Sequence, residues 1–208
     1  MSSPFLPTTP PTAADSALDV REVTAAKVVA DTVLLLMGVS GCGKTTIALE
    51  LQRLLGWPFK EGDDLHPVAN VEKMRSGRPL DYEDRRPWLM AVAGWIDERL
   101  AVGESGIITC SNLKHAYRKI TVGDRTGVTL IYLQVEERLI VDRVSRRKHR
   151  YMPPSLLHSQ FETLEEPTAD EQAIVVPAGG TVADTVIDLL RKVAAFQHAG
   201  SGDGASRS

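Results

Sequence analysis

Eight consecutive residues, Gly38-Val39-Ser40-Gly41-Cys42-Gly43-Lys44-Thr45, constrain the fold more than any other stretch of this chain. Their spacing is G-x-x-x-x-G-K-[ST], preceded by the apolar run TVLLLM (32–37) and followed by the helical pattern TTIALELQRLL (45–55). A glycine-rich turn between a buried strand and a helix lets several backbone N–H groups point at one anion, at the positive end of the helix. The lysine adds a mobile charge for the β and γ phosphates, and the Thr45 hydroxyl is placed to ligate Mg2+. The eight residues, with Thr46, are therefore expected to form an ATP site to which Ser40 and Cys42 contribute backbone only. A chance match in a glycine-containing loop would lack this strand-to-helix context.

The remainder of the chain repeats that alternation. Strand-length apolar runs recur at GIITC (106–110), VTLIYL (128–133) and AIVV (173–176), and WPFKEGD (57–63) reads as one more strand ending in acids. Between them lie helical periods at 45–55, at Trp88/Val92/Trp95/Ile96/Leu100, at 136–146 and at Val182/Val186/Leu189/Leu190/Val193. Continuous apolar strands alternating with helices predict a three-layer α/β/α fold around a mainly parallel five-stranded sheet. With 208 residues the chain suits one domain, expected over 31–197. The Pro/Thr/Ser/Ala-rich residues 1–30 and the tail 198–208 are expected to be disordered.

Bulk charge narrows the function classes. A net charge of -3 with no evident basic patch argues against a nucleic-acid partner, and the apolar run 33–37 is far too short to span a membrane. Two cysteines, one of them inside the phosphate loop, fit a reducing compartment, and the N-terminus lacks the basic and apolar regions of a signal peptide. A cytoplasmic location follows as an expectation. The NKxD motif of regulatory GTPases and the glycine-rich set of protein kinases are both missing.

The strand GIITC is followed by Ser111 rather than by the acid that commonly helps to hold Mg2+. That work falls to the nearest acids, in Glu61-Gly62-Asp63-Asp64-Leu65-His66-Pro67, at the carboxyl end of the preceding strand where ligands of parallel sheets bind. Phosphoryl transfer to an alcohol needs a carboxylate to orient the hydroxyl and take its proton. Asp63 is the candidate base, with Glu61 or Asp64 as an aid to the metal. The competing reading is a solvated acidic loop that caps the next helix.

EGDDLHP (61–67) followed by NVEKMRSGRPLDYEDRRPWL (70–89) resembles the gluconokinases of the thermoresistant type. That family carries G-D-x-x-H-P and then N-x-x-K-M-x-x-G-x-P-L-x-D-x-D-R-x-P-W-L; Tyr82-Glu83-Asp84 stand here where it has an acidic stretch before Arg85. The resemblance continues through Cys110-Ser111-Asn112-Leu113-Lys114, Tyr117-Arg118 and Gln160-Phe161-Glu162-Thr163-Leu164-Glu165-Glu166-Pro167, covering nearly the whole folded unit in order.

The resemblance implies transfer of the γ-phosphoryl group of ATP to the 6-hydroxyl of D-gluconate with Mg2+, a nucleoside-kinase-like fold with a mobile lid, and a homodimer. A carboxylate-bearing polyol needs hydrogen-bonding groups for its hydroxyls and a cation for its acid. Asp63 and His66 suit the hydroxyls; Lys114 and Arg118, four apart, suit the carboxylate; Gln160 is a further substrate candidate that could equally stitch the lid to the core. Arg143 and Arg147, in the basic run before Tyr151-Met152-Pro153-Pro154, resemble the lid arginines, Arg143 on ATP and Arg147 in catalysis, with the lid at about 143–155. Lys44 and Asp63 complete the expected catalytic set. Two departures stand out: Asn112 replaces an alanine, and the lid lacks the family's glycine, with His149 shifted. Another small P-loop kinase, for shikimate or a nucleoside, and a non-catalytic nucleotide-binding module remain the alternatives. Trp57, Trp88 and Trp95 could stack on adenine, but Trp88 and Trp95 fall on the helical stripe and core packing is the stronger reading.

Overall fold

β1 (Val33–Met37) is buried at all five positions, because both faces of the sheet are covered. The computed structural model describes residues 25, 28, 30–145 and 154–202. β1 is followed by α1 (Lys44–Leu55), β2 (Phe59–Glu61), a 3-10 turn (Gly62–Leu65), α2 (Val68–Arg75), α3 (Tyr82–Ala101), β3 (Gly106–Thr109) and α4 (His115–Thr121). Then come β4 (Val128–Gln134), α5 (Glu137–Ser145), α6 (Pro154–Thr163), a 3-10 turn (Ala169–Glu171), β5 (Ile174–Pro177) and α7 (Val182–Gly202).

The strands form one sheet in the order β2-β3-β1-β4-β5, and every pairing is parallel. Val33 lies opposite Gly106 on one side and Val128 on the other, so the central strands run in register and end along one edge. From β1 the chain winds first toward β2 and β3, then toward β4 and β5. The change of direction opens a crevice at the carboxyl end of β1, where the phosphate loop emerges.

The period of two along the strands divides the core. Leu34, Leu36, Ile107, Ile131 and Leu133 face α1, α5, α6 and α7 through Ile47, Leu51, Ile140, Leu157, Val186 and Leu190. Val33, Leu35, Met37, Ile108 and Leu130 face α3 and α4 through Trp88, Leu89, Val92, Ile96 and Tyr117. The layers are those the sequence predicts.

At the ends, Ala25 is buried and Val28 packs on the first of these clusters, both ahead of residue 31. α7 runs past His198 to Gly202, since the alanine-rich continuation contains no breaker before Gly200. Of the expected lid, 146–153 lie outside the described residues, Arg147 among them, as does the side chain of Arg143. Among the described residues no helix is long and apolar enough to cross a membrane.

Candidate active site

The phosphate loop owes its path to its glycines. Gly38 has φ 140°, and a Cβ there would approach the Leu133 carbonyl oxygen to 2.9 Å. Gly43, with φ 106°, is the N-cap of α1, and its carbonyl accepts the Ile47 N–H at 2.9 Å. The Lys44 ammonium arches back over the loop, donating to the carbonyls of Gly38 at 2.9 Å and Val39 at 3.2 Å. Gln160, from α6, meets the same loop: the Ser40 N–H donates to its Oε1 at 2.7 Å.

Glu61 is the junction between this loop and the acidic turn. Its Oε2 accepts the Thr45 hydroxyl at 2.6 Å, and its Oε1 accepts the Thr109 hydroxyl. Thr109 in turn accepts the Gly62 N–H at 3.2 Å. An acid at the end of β2 thus links β3 to the start of α1. Thr45 and Glu61 offer hard oxygen donors and few of them, the donor set that suits Mg2+ when phosphate and water oxygens supply the rest. Among the described residues no group of three or more His, Cys, Asp or Glu gathers into a self-sufficient metal cage.

The turn beyond Glu61 is held from two sides. A Cβ on Gly62 would lie 1.9 Å from the Thr109 carbonyl oxygen, so only glycine lets the turn pass this close to β3. From the other side the indole N–H of Trp88 donates to the Gly62 carbonyl at 2.7 Å. Trp88 is buried, and its ring carries His66 in a stack with centroids 4.2 Å apart. Trp88 is thus a core residue, as its stripe predicts, that also fixes the acidic turn. Asp63 and Asp64 stand exposed on the 3-10 turn.

His66 is neutral near physiological pH. Burial first, and then the charge of Arg85, lowers its pKa to about 4. The Asn70 amide lies 3.4 Å from His66 Nδ1 and donates to the Asp84 carbonyl at 2.6 Å. Asp84 forms a capping box with Asp81 at the start of α3 and pairs with Lys73 of α2, which locks the two helices together behind the turn. Cys110 at the end of β3 is buried, and its thiol is pushed up to about 12, mainly by desolvation. It is a poor nucleophile.

Arg118, expected to bind the substrate carboxylate, is engaged within the protein. The side chain is 2% exposed, and Nε and Nη2 donate to the Glu171 carboxylate at 2.5 and 2.8 Å. Nη1 donates to the carbonyls of Asn112 at 3.1 Å and Glu165 at 2.8 Å. Its hydrogen bonds are spent on tying α4 to the segment after α6. The Arg118 hydrogen bonds in turn hold the Glu171 carboxyl down, to about 2. Asn112 is also internal. It adopts φ 47°, and its side chain accepts from Cys110 Sγ at 3.3 Å and donates to Thr121 Oγ1 at 2.9 Å. An asparagine tolerates that left-handed turn far better than most residues. Lys114, the other half of the expected pair, is half-buried at the N-cap of α4 and has no ion pair among the described residues.

No family model matches the chain. Among curated proteins it is 45% identical to the gluconokinase of Gluconobacter oxydans over 157 residues, which is 76% of this chain and 88% of that one. It is 45% identical to the thermosensitive gluconokinase of Escherichia coli over 68% of this chain and 75% of that one. With the thermoresistant gluconokinase of the same organism the identity is 39%, over 77% and 94%. The solved structure of a gluconokinase from Sinorhizobium meliloti superposes with a TM-score of 0.72 at 35% identity, covering 85% of this chain and 98% of that one. A shikimate kinase from Bacteroides thetaiotaomicron superposes at 0.55 with 15% identity, over 78% and 97%, a likeness of fold alone.

Proposed function

The chain belongs to the gluconokinase family, and on that premise we propose that it transfers the γ-phosphoryl group of ATP to the 6-hydroxyl of D-gluconate, giving 6-phospho-D-gluconate and ADP. The observation that carries the reading is the Glu61 carboxylate, which accepts from both Thr45 and Thr109 and so joins the phosphate loop to the acidic turn. Donor phosphates and acceptor hydroxyl would then meet at one crevice.

Phosphoryl transfer asks a protein mainly for positioning and charge neutralisation. The loop Gly38–Thr45, with Thr46 behind it, cradles the phosphates, and Lys44 exchanges its two backbone carbonyls for β and γ oxygens. Thr45 and Glu61 would hold Mg2+, which when bound offsets phosphate charge. Asp63, two residues beyond Glu61 on the same turn, orients the 6-hydroxyl and takes its proton as the bond to phosphorus forms. Neutral His66 and Lys114 serve the remaining oxygens of the acceptor, and Gln160, which accepts from the Ser40 N–H, is a further contact for the acceptor. Arg143 on the nucleotide and Arg147 on the transferred group act from a lid over about 143–155 that excludes water. A cytoplasmic homodimer is the matching state.

Product identity tests the reaction. Phosphorus NMR of a mixture of ATP, Mg2+, gluconate and enzyme is expected to show a new phosphomonoester coupled to the C6 methylene protons. A phosphoester on another carbon, or ADP with inorganic phosphate alone, would refute it.

A further inference from the structure

Resting on that reading, we infer that Arg85 is the cation that binds the carboxylate of the acceptor, in the role the sequence pattern suggests for Arg118. Four arginines with described side chains are at least partly buried: Arg85, Arg99, Arg118 and Arg125. Three of them pair with a carboxylate, Arg99 with Glu104 at 2.5 Å, Arg118 with Glu171 at 2.5 Å and Arg125 with Asp97 at 2.6 Å. Arg85 has no carboxylate within ion-pair distance among the described residues. Its Nε donates to the Leu80 carbonyl at 3.3 Å, and its guanidinium lies 6.0 Å from the centre of the Tyr117 ring. A half-buried guanidinium held by one long hydrogen bond and an aromatic face keeps most of its donors for something else.

Its position says what that is. Arg85 and Trp88 are three residues apart on α3 and so share a face, separated by about 4.5 Å of helical rise. Trp88 donates to the Gly62 carbonyl, next to Asp63, and carries His66 on its ring. Arg85 is therefore about one helical turn along α3 from the group that fixes the base. That spacing suits an acceptor whose reacting hydroxyl and carboxylate stand at opposite ends of a six-carbon chain. A planar guanidinium can grip a carboxylate with two parallel N–H bonds, whereas Lys114 offers a point charge.

The test compares wild type, Arg85→Gln, Arg85→Lys and Lys114→Met in steady-state assays with gluconate and with its uncharged amide, gluconamide, used as substrate or as competitive inhibitor. Loss of a charge-assisted pair is expected to raise the gluconate KM of R85Q about 10- to 100-fold. The KM for ATP should stay within about twofold, and R85K should recover part of the loss because it keeps the charge. For gluconamide, R85Q and wild type should differ little, since no carboxylate is left to lose. The inference is overturned if R85Q binds gluconate as wild type does, if it weakens gluconate and gluconamide equally, or if K114M and not R85Q carries the effect. An R85Q protein that does not fold leaves the decision to R85K, which must raise the gluconate KM without changing that for gluconamide; otherwise the inference fails. Failure of the underlying reading looks different: wild type itself would then release no ADP in response to gluconate.

Discussion

Replacing Gly62 by alanine adds one methyl group at the tightest point of the site. The new Cβ would lie 1.9 Å from the Thr109 carbonyl oxygen, and reaching even the 3.0 Å limit requires the turn and β3 to separate by about 1.1 Å. The φ of Gly62 is not positive, so the contact and not the backbone conformation sets the cost. Neither neighbour yields easily. The Gly62 N–H is bonded to Thr109 and its carbonyl to the buried Trp88 indole, while Thr109 lies in a strand paired on both sides. Overpacking of this kind costs about 1–3 kcal/mol, which lowers the Tm of a domain this size by about 2–4 °C per kcal/mol. The larger effect is on turnover, because a displacement near 1 Å moves Glu61 and Asp63 away from the phosphate loop, and misplacement on that scale costs about 100-fold in rate. The assay is kcat by coupled ADP release beside a calorimetric Tm. Wild-type kcat in G62A, or a large loss of kcat in a variant that also fails to bind ATP, would refute the reasoning.

Arg118→Met strands the Glu171 carboxylate, and breaking a buried pair from one side costs about 3–5 kcal/mol in denaturant unfolding. The gluconate KM of the folded enzyme should not change, and a rise of tenfold would restore Arg118 to the substrate site. Because the folded-state pKa of Glu171 is lowered to about 2 from 4.5, the stability it contributes is present above about pH 4.5 and is lost as the pH falls toward 2. E171Q should lack that acid-linked loss in unfolding measured across the window. His66 is depressed in the opposite sense of charge, so protonating it opposes folding, and its contribution is full above pH 6.5 and lost as the pH falls through about 4. Imidazole NMR is expected to show His66 neutral at pH 6, and a midpoint near 6.5 would contradict the burial argument.

What the sequence makes legible is what lies close together along the chain. The phosphate loop is contiguous, and the buried strands show as apolar runs, so sheet and nucleotide site follow from local pattern. The acidic turn was visible as well, but not its geometry, since the Thr109 and Trp88 contacts that fix it come 48 and 26 residues later. The internal engagement of Arg118 is hidden for the same reason. A Lys/Arg pair after a strand looks available until Glu171, 53 residues downstream, is brought against it. Arg85 was hidden the other way, as one charge in DYEDRRPW (81–88) that only the fold shows to be without a carboxylate. Asn112, legible only as a departure from the family's alanine, is a buried residue in a left-handed turn.

The central claim is that gluconate is the acceptor, and acceptor-dependent ADP release is its most direct measure. With ATP and Mg2+ present, the account predicts rapid ADP formation on adding D-gluconate and none above background with shikimate or a nucleoside. Turnover with shikimate or a nucleoside and not with gluconate, or nucleotide binding with no acceptor-dependent turnover, would contradict it.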